Sequence, residues 1–177
     1  LQEAGAQLVL LLDCGTQAFA PLEAAREAKL DLLVVDHHKA SSALPPALGI
    51  VNPNRLDEVA EAAAHGGLCT AGLAFLVGVA LNRELRRRGH FAAVAEPNLS
   101  EWLDIVALGT VADVVPLLGL NRALVALGLR RMAGRQSVGL TALADVAKLD
   151  RAPRADELGV HLGPRIKAGG GVGQADL

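Results

Sequence analysis

The chain is organised around Leu32-Leu33-Val34-Val35-Asp36-His37-His38-Lys39. Four apolar residues run straight into a carboxylate, two adjacent imidazoles and an ammonium, which predicts a buried strand delivering polar groups at its C-terminal end. Open α/β sheets hold their ligands in the crevice beyond the carboxyl ends of the strands, so Asp36, His37 and His38 stand where such a sheet does its chemistry. Upstream, Leu8-Val9-Leu10-Leu11-Leu12 is a second continuous apolar run, ended by Asp13-Cys14-Gly15-Thr16, and predicts another buried strand followed by a turn. Between the two, residues 21–29 have Pro21 near the start and Leu22, Ala25 and Ala28 on one stripe, which predicts a helix. Strand, helix and strand within about 30 residues make a βαβ unit. If its strands are parallel neighbours, Asp13 and Asp36 lie at the same sheet edge.

Downstream, a Ser/Pro-rich loop over 41–46 leads to a third strand at 48–51, stopped by Asn52-Pro53-Asn54. Residues 70–88 are apolar almost all round before Arg86-Arg87-Arg88-Gly89, as in a buried helix with cations in its last turn and Gly just beyond. Asn98, with Glu101 three residues on, opens a helix carrying Trp102, Ile105 and Val106 towards Asp113. Helical patterns follow at 121–132, 140–148 and, more weakly, 157–162. The glycine-dense stretch 163–173 reads either as a functional loop or as a boundary. The expected fold is α/β: a parallel sheet flanked by helices, continuing into a helical segment that returns Asp113 to the sheet edge. Residues 1–118 are expected to form the core domain, and 119–177 a helical connecting segment ending in a Gly-rich loop.

The composition, 51% hydrophobic and 20% charged over 177 residues, is that of a globular domain and argues against disorder. Aromatic residues make up only 2%, with no Tyr and one Trp, so base-stacking platforms are scarce and a nucleic acid would be held mainly by its backbone. Cys14 and Cys69 form no CxxC, which favours free thiols and the cytoplasm. Neither a secretory leader nor an apolar run of the ~18 residues a membrane span needs is present, so no membrane partner is expected. Net charge is −6 over 1–118 and +4 over 119–177. The basic part suits either phosphate binding or a solvated helix face.

Carboxylates joined by imidazoles suit a borderline divalent ion such as Mn²⁺, because all-oxygen sites favour Mg²⁺ or Ca²⁺ and thiolate-rich ones Zn²⁺. The bland reading of Asp13 is a turn former or N-cap. Asp113 is the sole charge in the apolar stretch 107–117, and burying an unpaired carboxylate costs several kcal/mol, which points to a cation or metal beside it. An N-cap or surface turn before Pro116 is the alternative. His65, His90 and His161 have no ligand-spaced partners and read as surface residues. Arg86-Arg87-Arg88 reads as a solvated helix terminus or a DNA contact.

Leu12-Asp13-Cys14-Gly15, Val35-Asp36-His37-His38-Lys39, Asn52-Pro53 and 108–117 resemble successive motifs of the DHH phosphoesterase superfamily. Within it, 108–117 and Leu162-Gly163-Pro164-Arg165-Ile166 resemble the RecJ-type single-stranded-DNA exonucleases. The resemblance implies 5′ to 3′ hydrolysis of single-stranded DNA in recombination and repair, with Mn²⁺ or Mg²⁺, as two ions in the complete protein. It matches Asp13, His37 and Asp113 to metal ligands and His38 to a residue near the scissile phosphate. Asp36 is matched to an orienter of the histidines, with direct ligation as the alternative. Arg165 and Lys167 are matched to substrate contacts.

Two departures stand out. The family's first motif, Asp-x-Asp, is expected upstream of Leu1, so the chain by itself is expected to be inactive. Lys167 and Gly171 stand where relatives commonly have Asn and Arg, which puts one phosphate contact in question. The other readings are a phosphodiesterase for oligonucleotides or cyclic dinucleotides, a pyrophosphatase, and a non-catalytic scaffold binding DNA or protein.

Overall fold

The computed structural model describes residues 1–171. Its backbone packs as two units, Leu1–Ala74 and a second beginning at Phe75. The first holds β1 (Leu8–Leu12), α1 (Phe19–Glu27), β2 (Asp31–Val35), β3 (Gly49–Val51) and the short α2 (Ala60–Ala63). The strands form a parallel sheet in the order β1-β2-β3. Leu12 is paired with Val35, and Val35 with Val51, so the three strands end in register. Two further ladder bonds extend it: the Asp13 N–H donates to the Val35 carbonyl and the Asp36 N–H to the Val51 carbonyl, each at 3.0 Å. The residues that follow the strands, Asp13, Asp36 and Asn52, therefore share one edge.

The alternation of side chains along each strand sets which face is covered. Val9, Leu11, Leu32, Val34 and Ile50 point to the face on which α1 lays Ala18, Leu22 and Ala25. Leu22 and Val34 are fully buried, and each contributes roughly 2 kcal/mol by leaving water. On the opposite face Leu8, Leu10 and Leu12 remain about half exposed. The expectation of a buried first strand is therefore corrected. A continuous apolar run does not say which of its alternating faces is covered, and β1 has a strand beside it on one side only among the described residues.

Helix α3 (Thr70–Arg87) runs across the boundary between the units, and the second unit is helical from there on. The Asn98 side chain accepts a hydrogen bond from the Ser100 N–H at 3.3 Å and opens a 3₁₀ turn, Leu99–Trp102, that leads into α4 (Leu103–Ala112). Then come α5 (Gly119–Ala133), α6 (Val138–Val146) and α7 (Ala155–Glu157), which passes through a π-helical turn, Leu158–Leu162, into α8 (Gly163–Gly171). The core joins Ala107 and Leu108 of α4, Val125 and Met132 of α5, Ala144 of α6, and Leu158 and Leu162. Where α4 crosses α5 there is no room for a side chain: a Cβ on Gly128 would lie 2.2 Å from the Leu103 carbonyl oxygen and 2.4 Å from the Ala107 Cβ.

The stretch from Gly163 to Gly171, expected as a loop, is helical. Pro164 sits at its first turn, where a missing N–H costs nothing. Gly163 comes so close to α4 that a Cβ there would lie 3.0 Å from the Ala112 Cβ, so contact with α4 offsets the poor helix propensity of glycine. Val172 and Gly173, the end of the predicted loop, lie outside the described residues.

Candidate metal centre

The site is built from the bottom of the sheet edge upwards, and Asp36 is its base. The residue is 1% exposed. Oδ2 accepts from the Thr16 N–H at 3.1 Å, while Oδ1 accepts from the His37 N–H at 2.8 Å and the His38 N–H at 3.3 Å. Oδ1 also lies 2.7 Å from His38 Nδ1. Burial opposes the charged form of Asp36, but the hydrogen bonds from Thr16 and His38 outweigh it and hold the carboxyl below the usual carboxylate range. An ionised Asp36 can only accept, so Nδ1 of His38 donates to it.

Three polar residues lock the loops around this base. Asn52 Nδ2 donates to Thr16 Oγ1 at 2.9 Å and to the His38 carbonyl at 2.8 Å, joining the ends of all three strands. Its Oδ1 accepts from the Asn54 N–H at 2.8 Å. Asn54 Nδ2 in turn donates to the His37 carbonyl at 2.6 Å and to the Gly66 carbonyl at 3.0 Å. Thr16 and Asn52 are each 1% exposed, so these bonds form away from water and fix the loop geometry. Thr16 and Asn54 were not singled out from the sequence as site residues, and Asn52 only as part of a motif. Their one signal there is position, since each follows the end of an apolar run.

On this base stand Asp13, His37 and His38, each offering one ligand atom, and those atoms lie within 4.8 Å of one another. His37 Nε2 is 3.4 Å from Asp13 Oδ1. The two imidazole centroids are 4.6 Å apart with planes tilted by 56°, so the rings do not stack. Asp13 occupies the left-handed region at φ 64°, which aspartate tolerates better than most residues because its short side chain bonds locally. Its carboxylate is 62% exposed, so a ligand can reach it from solvent. One carboxylate and two imidazoles form a mixed oxygen and nitrogen donor set that fits a borderline divalent ion. The Asp36 to His38 hydrogen bond is the orienting contact that metal-binding histidines use.

The remaining predicted residues lie in the second unit. Asp113 is the C-terminal cap of α4, with its N–H donating to the Gly109 carbonyl at 3.0 Å. A carboxylate at that end of a helix opposes the helix dipole, so a capping role does not explain the side chain. The N-cap alternative is thereby corrected. Arg165 donates from Nη1 to the His161 carbonyl at 2.5 Å and is exposed, as is Lys167. On a helix, residues two apart point about 200° from each other, so the two cations address different directions. Cys14 is exposed and Cys69 is buried, and the two form no disulfide.

Fold and site together define an α/β protein with an Asp/His centre at the carboxyl edge of a parallel sheet. The chain belongs to the DHH family: the model of the DHH family N-terminal domain matches residues 2–110. It is 43% identical over 170 residues to the single-stranded-DNA-specific exonuclease RecJ of Dickeya dadantii (strain 3937), covering 94% of this chain and 29% of that protein. The protein of the same name from Escherichia coli (strain K12) is also 43% identical over 170 residues, with the same coverage of 94% and 29%. The chain thus spans 29% of the length of these curated relatives. The solved structure of RecJ from Thermus thermophilus in complex with Mn²⁺ is similar with a TM-score of 0.78 at 35% identity, covering 99% of this chain and 24% of that one. That of the same protein in complex with Mg²⁺ gives a TM-score of 0.59 at 32% identity, covering 96% and 21%.

Proposed function

We propose that the chain carries the metal centre of a phosphodiester hydrolase, and that the whole protein is a 5′ to 3′ exonuclease acting on single-stranded DNA in recombination and repair. The observation that carries this reading is the meeting of one carboxylate and two imidazoles at the carboxyl edge of the sheet, on a base of buried hydrogen bonds. The names and bound ions of the relatives agree with it. Residues 1–118 form the phosphoesterase core in this reading and 119–177 the connecting segment, a division supported by the extent of the family match, 2–110. No described helix is long and apolar enough to cross a membrane. Two cysteines outside any disulfide suit the reducing cytoplasm, where we place the protein.

Asp13, His37 and Asp113 are the proposed ligands of a Mn²⁺ or Mg²⁺ ion. A bound ion there would lower the pKa of water and neutralise phosphate charge. His38 faces the scissile phosphate, where its imidazolium form stabilises negative charge or protonates the leaving oxygen. Asp36 holds that imidazole in one tautomer and orientation. Arg165 and Lys167 contact the backbone of the strand without reading its sequence.

The test is a Mn²⁺ titration of the chain followed by electron paramagnetic resonance, beside Asp13→Asn, His37→Ala and Asp113→Asn. Binding in the parent that weakens at least tenfold in each variant is the expected result. Equal binding in all four, or none in the parent, refutes the ligand set.

A further inference from the structure

We propose that the first turn of α3, at Thr70-Ala71-Gly72, is a seat for a phosphate oxygen of the bound strand; this rests on the phosphodiester-hydrolase reading. Helix α3 is 18 residues long, and its first intrahelical acceptor is the Cys69 carbonyl, which takes the Leu73 N–H at 3.0 Å. The N–H groups of Thr70, Ala71 and Gly72 precede that bond, so the helix itself gives them no acceptor. They also carry the positive end of the dipole, which favours an anion.

A second observation points to a ligand. Thr70 is 7% exposed, and its hydroxyl is buried with no hydrogen-bond partner among the described residues. Thr70 opens the helix, so no preceding helical turn offers its hydroxyl a carbonyl; four residues back, the Gly66 carbonyl accepts from Asn54 Nδ2 at 3.0 Å. A buried hydroxyl without a partner costs on the order of 1–3 kcal/mol, a cost that a bound anion removes.

The same asparagine places the seat. Asn54 Nδ2 bonds the His37 carbonyl as well as that of Gly66, which ties the approach to α3 to the loop carrying the two imidazoles. A Cβ on Gly66 would lie 2.5 Å from Asn54 Oδ1 and displace that side chain; beside Gly67 a Cβ would meet open space. The seat supplies hydrogen bonds to a phosphate that any base sequence presents, so it positions the strand without selecting it.

The test uses the 177-residue chain without metal, titrated with inorganic phosphate while the amide resonances of Thr70, Ala71 and Gly72 are followed. Phosphate is expected to move all three. Thr70→Val is expected to weaken it about tenfold, and Thr70→Ser to keep the parent affinity. Valine fills the same space without the unpaired hydroxyl, so Thr70→Val is expected to melt no lower than the parent. Amides that stay still, or a Thr70→Val chain that binds phosphate as tightly as the parent, overturn the seat. The Mn²⁺ titration separates the two readings: phosphate at α3 without any Mn²⁺ binding supports the seat and sinks the metal ligand set.

Discussion

The sheet edge of the first unit and the α4 and α5 crossing of the second are both close-fitting, for opposite reasons. At the edge, one buried carboxylate accepts from Thr16, His37 and His38, and two asparagines tie the surrounding loops together. At the crossing, the fit depends on an atom that is missing, the Cβ of Gly128, and on the apolar residues around it. Hydrogen bonds are directional, so the edge fixes the orientation of imidazoles. Apolar contact fixes only distance. A centre that must present ring nitrogens at set angles needs the first kind, whereas a supporting helical layer can rely on the second.

The contrast can be broken from either side. Asp36→Ala leaves the N–H groups of Thr16, His37 and His38 without their acceptor, and is expected to cost about 4 kcal/mol in the first unit. Amide exchange of β2 checks it, and protection in α5 should be unchanged. A loss shared equally by β2 and α5 would show that the edge network is not local.

Gly128→Ala is the counterpart, with an expected loss of about 3 kcal/mol in the second unit. Helix propensity alone predicts the opposite sign, since alanine is favoured over glycine by about 1 kcal/mol. The near contact with the Leu103 carbonyl reverses it, because backbone cannot swing aside as a long side chain can. Urea unfolding followed by the fluorescence of Trp102, the one tryptophan, reads this unit. An unchanged midpoint would mean that α4 and α5 separate at little cost.

The same contrast explains what the sequence made legible. The strands and the edge they share were readable, because short apolar runs ending in polar residues on either side of a helix have few alternatives; the role given to Asp36 came from the family resemblance. Thr16 and Asn54 were not readable, since Thr and Asn after a strand look like turn formers whether or not they bridge loops. The exposure of Leu8, Leu10 and Leu12 was hidden because a run of leucines has no polar face to mark. The helix from Gly163 to Gly171 was hidden because its glycines argue locally for a loop, and only the contact with Ala112 shows otherwise.

Acid should sharpen the contrast with the smallest effect. Asp36 has a lowered pKa, because hydrogen bonds from Thr16 and His38 overcome burial. Glu157 in the second unit is lowered too, first by the Arg154 N–H at 2.8 Å and then, against burial, by Arg151. A carboxylate lowered on folding contributes stability that is fully present above its unfolded value, roughly 4 for either residue. Below that value the unfolded chain takes up a proton that the folded chain does not, so stability falls with pH until the folded value is passed. Both units are therefore expected to weaken from about pH 5 downwards. The variants differ in where the slope disappears: Asp36→Asn should flatten the pH dependence of β2 amide exchange, and Glu157→Gln that of α7 and the π-helical turn. If Asp36→Asn left the slope at β2 intact, the charge on Asp36 would not be what holds the sheet edge together, and the polar half of the contrast would rest on Asn52 and Asn54 instead.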